Sequence, residues 1–123
     1  MISETFKQVL ADECIVAIVT RSESGPHVVN TWNSYVTITS DGSLLIPVSR
    51  MHKTEKNLDN DNRVLLTIGS RNVPGLRYVG TGFLVEGTAA LETQDEHFER
   101  MKARFDWMRA VMVVKPETIT QTL

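Results

Sequence analysis

Apolar residues come in short runs of strand length, separated by clusters of turn formers, and only a few stretches carry helical spacing. Cys14 to Thr20 (CIVAIVT) is rich in β-branched residues and predicts a buried strand. Ser22-Glu23-Ser24-Gly25-Pro26 predicts a turn, in which glycine relieves φ and proline fixes it. His27 to Asn30 starts a second strand, which Tyr35 to Thr39 continues or follows. Asp41-Gly42 marks a tight hairpin turn, and Ser43 to Val48 returns from it as a strand whose Pro47 suggests an edge or an end. Arg63 to Ser70 predicts the next strand. Asn72 to Gly80, with Pro74, Gly75 and Gly80, predicts an irregular, mobile loop. Thr81 to Thr93 reads as a long strand bent at Gly87, and Val111 to Lys115 as a last strand before Pro116 and a short tail ending at Leu123.

The helical signals are fewer. Ser3 can cap a first helix with Phe6, Val9 and Leu10 at helical spacing. Thr54 can cap a second, from Glu55 to about Asn60. Thr93 and Glu96 match a capping box that opens a helix from Asp95 to about Arg109, with Phe98, Met101, Phe105 and Met108 as its apolar stripe. Some six strands at turn-length spacing, with two to three helices among them, predict a mainly β protein, a small barrel with helices plugging its ends. Strand and helix do not alternate, which argues against a doubly wound sheet.

Composition sets bounds on this picture. With 123 residues the chain reads as one domain, residues 1–123. Hydrophobic residues at 41% and charged residues at 23% suffice for a core. Little surface is left for a large private cavity, so a cofactor is expected near the surface or at a subunit contact. Thirteen basic residues against fifteen acidic ones argue against a nucleic-acid-binding module, though not against a local anion pocket. The single Cys14 forms no intrachain disulfide and, beginning an apolar run, is expected to be buried and inert. Met1 to Thr5 lacks the features of a signal peptide, and no run nears the roughly 20 apolar residues of a membrane helix. A cytoplasmic location without a membrane partner is the expectation.

The usual catalytic signatures are missing. There is no GxxxxGK[ST]; Gly80-Thr81-Gly82 falls short of GxGxxG because Val85 stands at the third glycine; and no GxSxG occurs. His27, His52 and His97 share no ligand spacing, so no metal site is expected. Three places carry other chemistry. Lys53 and Thr54 stand where a helix begins, and a cation with a hydroxyl and free helix N–H groups suits an anion; taken alone, these residues favour the plainer reading, a solvated lysine beside a capping threonine. Asn30-Thr31-Trp32-Asn33-Ser34-Tyr35 gathers donors (Asn30, Thr31, Ser34) suited to phosphate or ribityl oxygens, and aromatic faces (Trp32, Tyr35) suited to a conjugated ring; the alternative is a hairpin corner with a core tryptophan. Trp107 stands off the apolar stripe and needs another partner: a subunit, a ligand, or a second side of the core.

Five stretches together carry a resemblance: His27 to Tyr35, Met51-His52-Lys53-Thr54-Glu55, Gly69-Ser70-Arg71, Gly80-Thr81-Gly82-Phe83-Leu84, and the tail from Glu117 to Gln121-Thr122-Leu123. They resemble the small FMN-binding proteins of sulfate-reducing bacteria, within the pyridoxamine-phosphate-oxidase-like FMN-binding split barrels, a group that includes flavin reductases. The resemblance runs the whole length of the chain. It implies a Greek-key-like split β-barrel, a homodimer, and one non-covalent FMN per subunit near the dimer contact. It implies that Asn30, Lys53 and Thr54 hold the phosphate, and that Thr31 and Trp32, with the loop Ser49, Arg50 and Met51, contact the ribityl chain or the ring. It further implies that Trp107 helps enclose the ring and that Leu123 covers it from the partner subunit. Gly82, inside one matching stretch, joins the expected site. The relatives carry two glycines where this chain has Ser49-Arg50, which shifts the expected ring pose and places a cation near it.

With no side chain poised as an acid or base, the sequence favours electron transfer with an unidentified redox protein; the alternative is a flavin reductase-like NAD(P)H-dependent oxidoreductase.

Overall fold

A computed structural model describes residues 1–123. Its elements in chain order are α1 (Glu4–Leu10), β1 (Ile15–Ser22), β2 (Gly25–Trp32), a 3-10 turn (Asn33–Tyr35), β3 (Thr37–Ile38), β4 (Leu44–Val48), α2 (His52–Asn60), β5 (Arg63–Pro74), β6 (Val79–Glu92), α3 (Asp95–Lys102) and β7 (Ala110–Gln121). The seven strands form one sheet in the order β2-β1-β5-β6-β7-β4-β3, and every pairing is antiparallel.

The sheet is curled. Val16 and Ile18 from β1 share one core cluster with Leu44, Ile46 and Val48 from β4, near the other end of the strand order. Phe6 and Val9 of α1 and Leu58 of α2 fill the same cluster. The result is a split barrel, open between β2 and β3, with α1 and α2 closing on its core. Phe6, wholly buried, meets Phe83 edge-on with ring centroids 5.2 Å apart. The other face of β4 and β7 carries a smaller cluster of Leu45, Val111 and Val113 with Met101, Phe105 and Met108.

Several expectations hold in detail. Ser3 caps α1, its Oγ accepting from the Phe6 N–H at 3.1 Å. The Thr39–Ser43 turn closes by a Thr39 N–H to Ser43 carbonyl bond of 2.9 Å, with Gly42 at φ +85°. Pro47 sits beyond the short β3–β4 pairing, which ends at Leu45. Gly87 lies at the register shift between β6 and β7, opposite Pro116.

Other expectations are corrected. Asn72 to Gly80 is no long loop: β5 runs on to Pro74 and β6 starts at Val79, leaving a tight connection whose Gly75 N–H donates to the Tyr78 carbonyl at 2.8 Å. Tyr35 belongs to a 3-10 turn, and only Thr37–Ile38 of the expected strand pairs. The tail is no tail, because β7 continues through Pro116 to Gln121 along β6. The capping box does not form: Gln94 precedes α3 without a side-chain cap, and α3 ends at Lys102. Phe105 and Met108 still reach the smaller cluster, from turns rather than a helix. Thr54 does not cap α2, which begins at His52 behind Met51. Cys14 is exposed, since β1 begins one residue later and its inward side chains start at Val16.

Candidate functional site

The expected site residues fall on two parts of the molecule. The first is the connection from β4 into α2. Ser49 and Arg50 are exposed, and Met51 adopts the left-handed conformation, φ 59° and ψ 40°. For a residue with a Cβ that conformation costs about 1–2 kcal/mol, so the connection is held by something else. What holds it is Arg109, a residue the sequence reading did not single out. Its Nε donates to the Ser49 carbonyl at 2.9 Å, and its Nη2 to the Arg50 carbonyl at 2.7 Å and to Glu55 Oε1 at 2.8 Å. Its own backbone N–H donates to the Val48 carbonyl at 2.9 Å. Two residues of the connection, Ser49 and Arg50, with Val48 before it and Glu55 after it, are thereby tied to the residue that precedes β7.

Lys53 and Thr54 lie in the first turn of α2, where backbone N–H groups lack intrahelical acceptors. Lys53 is exposed and forms no ion pair; those in the structure are Lys7–Glu4, Arg63–Glu117, His97–Glu92 and Arg109–Glu55. Thr54 is wholly buried, and its Oγ1 has no hydrogen-bond partner. A hydroxyl left so costs about 1–3 kcal/mol; the buried Asn33 Oδ1 is the other side-chain atom in that state. The sealed position of Thr54 means that an anion reaches it only when the covering side chains shift. Further along α2, Asn57 donates to Thr20 Oγ1 at 3.1 Å and fixes the helix on β1. α2 also packs on β2, the strand that carries Asn30.

Trp107 adjoins this part through Met108 and Arg109. It is 46% exposed and forms an aromatic cluster with Tyr35 (centroids 5.7 Å) and Phe105 (5.6 Å). Trp107 and Tyr35 therefore stand against each other, with nearly half of the Trp107 surface open to solvent. The Ser34 N–H (3.0 Å) and Oγ–H (2.6 Å) both go to the Glu13 carboxylate. The Ser34 hydroxyl, then its N–H, holds the Glu13 carboxyl below the usual carboxylate range.

The second part is the outer face of the sheet. Alternation along β2 places Asn30 and Trp32 outward and Thr31, buried, inward. Trp32 pairs with Ile15, and Gly69 on β5 faces Gly82 on β6. The glycine pair leaves a strip without side chains. A Cβ on Gly82 would meet the Ile68 carbonyl oxygen at 3.2 Å and Thr122 Oγ1 at 3.4 Å. Beside the strip lies a cavity of about 670 Å³ bordered by Cys14, Arg71, Tyr78, Thr81 and Leu123. The Leu123 oxygen accepts from Thr81 Oγ1 at 2.7 Å and from the Leu76 N–H at 3.1 Å, while the Leu123 side chain stays 67% exposed. No hydrogen bond joins Gly82 or Leu123 to the β4–α2 connection of the same chain.

A curled seven-stranded antiparallel sheet with helices closing on its core defines a small split barrel. The sequence profile described as pyridoxamine 5'-phosphate oxidase matches residues 2–123, and the chain belongs to that family. It is 49% identical, over the full length of both chains, to a protein of Nitratidesulfovibrio vulgaris (strain DSM 19637 / Miyazaki F) named FMN-binding protein. Among solved structures it superposes on HupZ of group A Streptococcus with a TM-score of 0.81 at 17% identity, covering 98% of this chain and 94% of that one. An FMN-binding protein of Syntrophomonas wolfei subsp. wolfei superposes with a TM-score of 0.73 at 17% identity, over 94% of this chain and 81% of that one. At such identities these two likenesses speak for the fold.

Proposed function

We propose that the chain binds FMN non-covalently and transfers electrons to and from a protein partner, as a homodimer with the flavin near the subunit contact. The observation that carries the proposal is the start of α2, where an unpaired ammonium (Lys53) stands beside a buried hydroxyl without a partner (Thr54). Full-length likeness to a protein named FMN-binding protein supports the choice of ligand. Bound FMN supplies the redox chemistry. Lys53 and Thr54 hold the phosphate, with Asn30 of β2, the strand against which α2 packs, as a further donor, and the backbone from Ser49 to Met51 meets the ribityl chain or ring. Trp107 shields one side of the ring.

Two features favour a homodimer. The expected ligand residues are divided between the β4–α2 connection and the outer sheet face, an arrangement that a second copy completes. That outer face also exposes Ile15 (49%), Val28 (56%), Trp32 (46%) and Leu65 (40%), an apolar set that water disfavours. Sedimentation at micromolar concentration is expected to give twice the chain mass; a monomer with flavin bound would remove the subunit-contact part of the proposal.

The purified protein is expected to show flavin absorption bands and a stoichiometric FMN content. Lys53→Ala is expected to weaken FMN about tenfold or more while leaving riboflavin, which lacks the phosphate, within about twofold. Equal losses for both ligands would refute the phosphate assignment, and rapid bleaching by NADH or NADPH would replace the carrier reading with a reductase.

A further inference from the structure

We infer that Arg109 is the positioning residue of the flavin site, joining the backbone that meets the ring to the helix start that meets the phosphate. The inference rests on the FMN reading above and adds to it a residue that reading does not use.

The argument begins with donor capacity. A guanidinium carries five N–H groups in a rigid planar fork. Nε has one, spent on the Ser49 carbonyl at 2.9 Å; Nη2 has two, spent on the Arg50 carbonyl at 2.7 Å and Glu55 Oε1 at 2.8 Å. The His52 Nδ1 lies 3.3 Å from the same Nη2. These acceptors span both sides of Met51, the one residue of the connection in the left-handed conformation. Two carbonyls lie before it and one carboxylate, in the first turn of α2, lies after it. The fork therefore sets the angle at which α2 leaves the connection, and with it the placement of Lys53 and Thr54 relative to Ser49 and Arg50.

The Arg109–Glu55 pair is about one-third exposed at each partner, so it is partly shielded from water yet close to the surface where a ligand docks. Three of the five N–H groups are spent on these acceptors, so the main task of Arg109 is to hold the connection, and the phosphate's charge partner in this reading is Lys53, which forms no ion pair. Removing Arg109 thus disturbs ring and phosphate contacts together, whereas removing Lys53 disturbs the phosphate alone. A lysine at position 109 offers one point of charge in place of a fork and cannot reach two carbonyls and a carboxylate in fixed geometry.

The test compares the intact protein, Arg109→Ala, Arg109→Lys and Glu55→Gln, each stripped of flavin and titrated with FMN and with riboflavin. Melting temperature is measured without ligand, and midpoint potential with FMN bound. Arg109→Ala is expected to weaken both ligands by about tenfold or more and to shift the potential. Arg109→Lys is expected to recover only part of the affinity, and Glu55→Gln to lose less than Arg109→Ala because both carbonyl bonds remain. Affinities within about twofold of the parent for both ligands, with an unchanged potential and only a lower melting temperature, would overturn the inference and leave Arg109 a purely structural tie. Should Arg109→Ala fail to fold, the Arg109→Lys and Glu55→Gln pair decides by the same criteria. A parent protein that takes up neither ligand would overturn the cofactor reading first, and this inference with it.

Discussion

Replacing Thr54 by valine separates the two tasks of that position. Valine has nearly the shape of threonine and a similar helix propensity, so packing inside α2 changes little. What disappears is a hydroxyl that is fully buried and has no partner. An unmet buried hydroxyl costs about 1–3 kcal/mol, so the flavin-free variant is expected to gain ~1 kcal/mol at the lower end of that range. For a domain of this length that raises the melting temperature by about 4 °C. With FMN the sign reverses. A hydrogen bond from a neutral hydroxyl to a phosphate dianion contributes about 1.5–3 kcal/mol, so the affinity is expected to fall by about 10-fold to 100-fold. Riboflavin, without a phosphate, is expected to bind as before. Scanning calorimetry of the flavin-free protein and fluorescence titration with both ligands give the two numbers. A flavin-free variant less stable than the parent would mean that the hydroxyl already has a partner within the chain. An unchanged FMN affinity would remove Thr54 from the phosphate site.

Two further predictions concern the frame that holds the site. Gly87→Ala places a Cβ 2.2 Å from the Lys115 carbonyl oxygen and 2.9 Å from Pro116 Cα, both backbone atoms of β7, so the bulge must open; urea unfolding is expected to show a loss of about 2–3 kcal/mol. Stability is also expected to depend on acid. The Asp12 carboxyl is held down by the Ser70 hydroxyl and then by Asn72, and the Glu13 carboxyl by the Ser34 hydroxyl and then its N–H. Folded-state values below the unfolded ones mean that the unfolded chain takes up protons first as pH falls. The contribution is therefore complete above the ordinary carboxylate range and is lost as pH drops through it; Ser70→Ala and Ser34→Ala are expected to flatten that part of an unfolding-midpoint profile between about pH 7 and about pH 3.

Strands with their own punctuation were legible in the sequence. CIVAIVT became β1 within a residue or two, and Gly87 marked the bulge, because β-branched content and glycine act locally. Elements whose limits depend on distant partners were not. The segment after Arg71 carries turn formers, yet β6 pairs with it and draws Asn72 to Pro74 into a strand. Phe105 and Met108 keep helical spacing although α3 has ended, since turns bring them to the same cluster. At the site, Lys53 and Thr54 were visible as residue types, but the position of Thr54 inside the helix was hidden. Its cause is the left-handed Met51, a residue with no preference for that conformation. Arg109 left no signature because most of its partners are backbone carbonyls, which every residue has.

Asn33 ties together parts of the chain that are remote in sequence. Its side-chain amide lies 3.0 Å from the Val9 carbonyl, 2.8 Å from that of Asp12 and 2.9 Å from that of Gly69, across separations of 24, 21 and 36 residues. Exchange of its two protons with deuterated water is slowed by acceptors on the end of α1, the corner before β1 and the middle of β5, and is fastest when these separate. The carboxamide resonance of Asn33 is thus a built-in gauge of that separation, readable without any flavin signal.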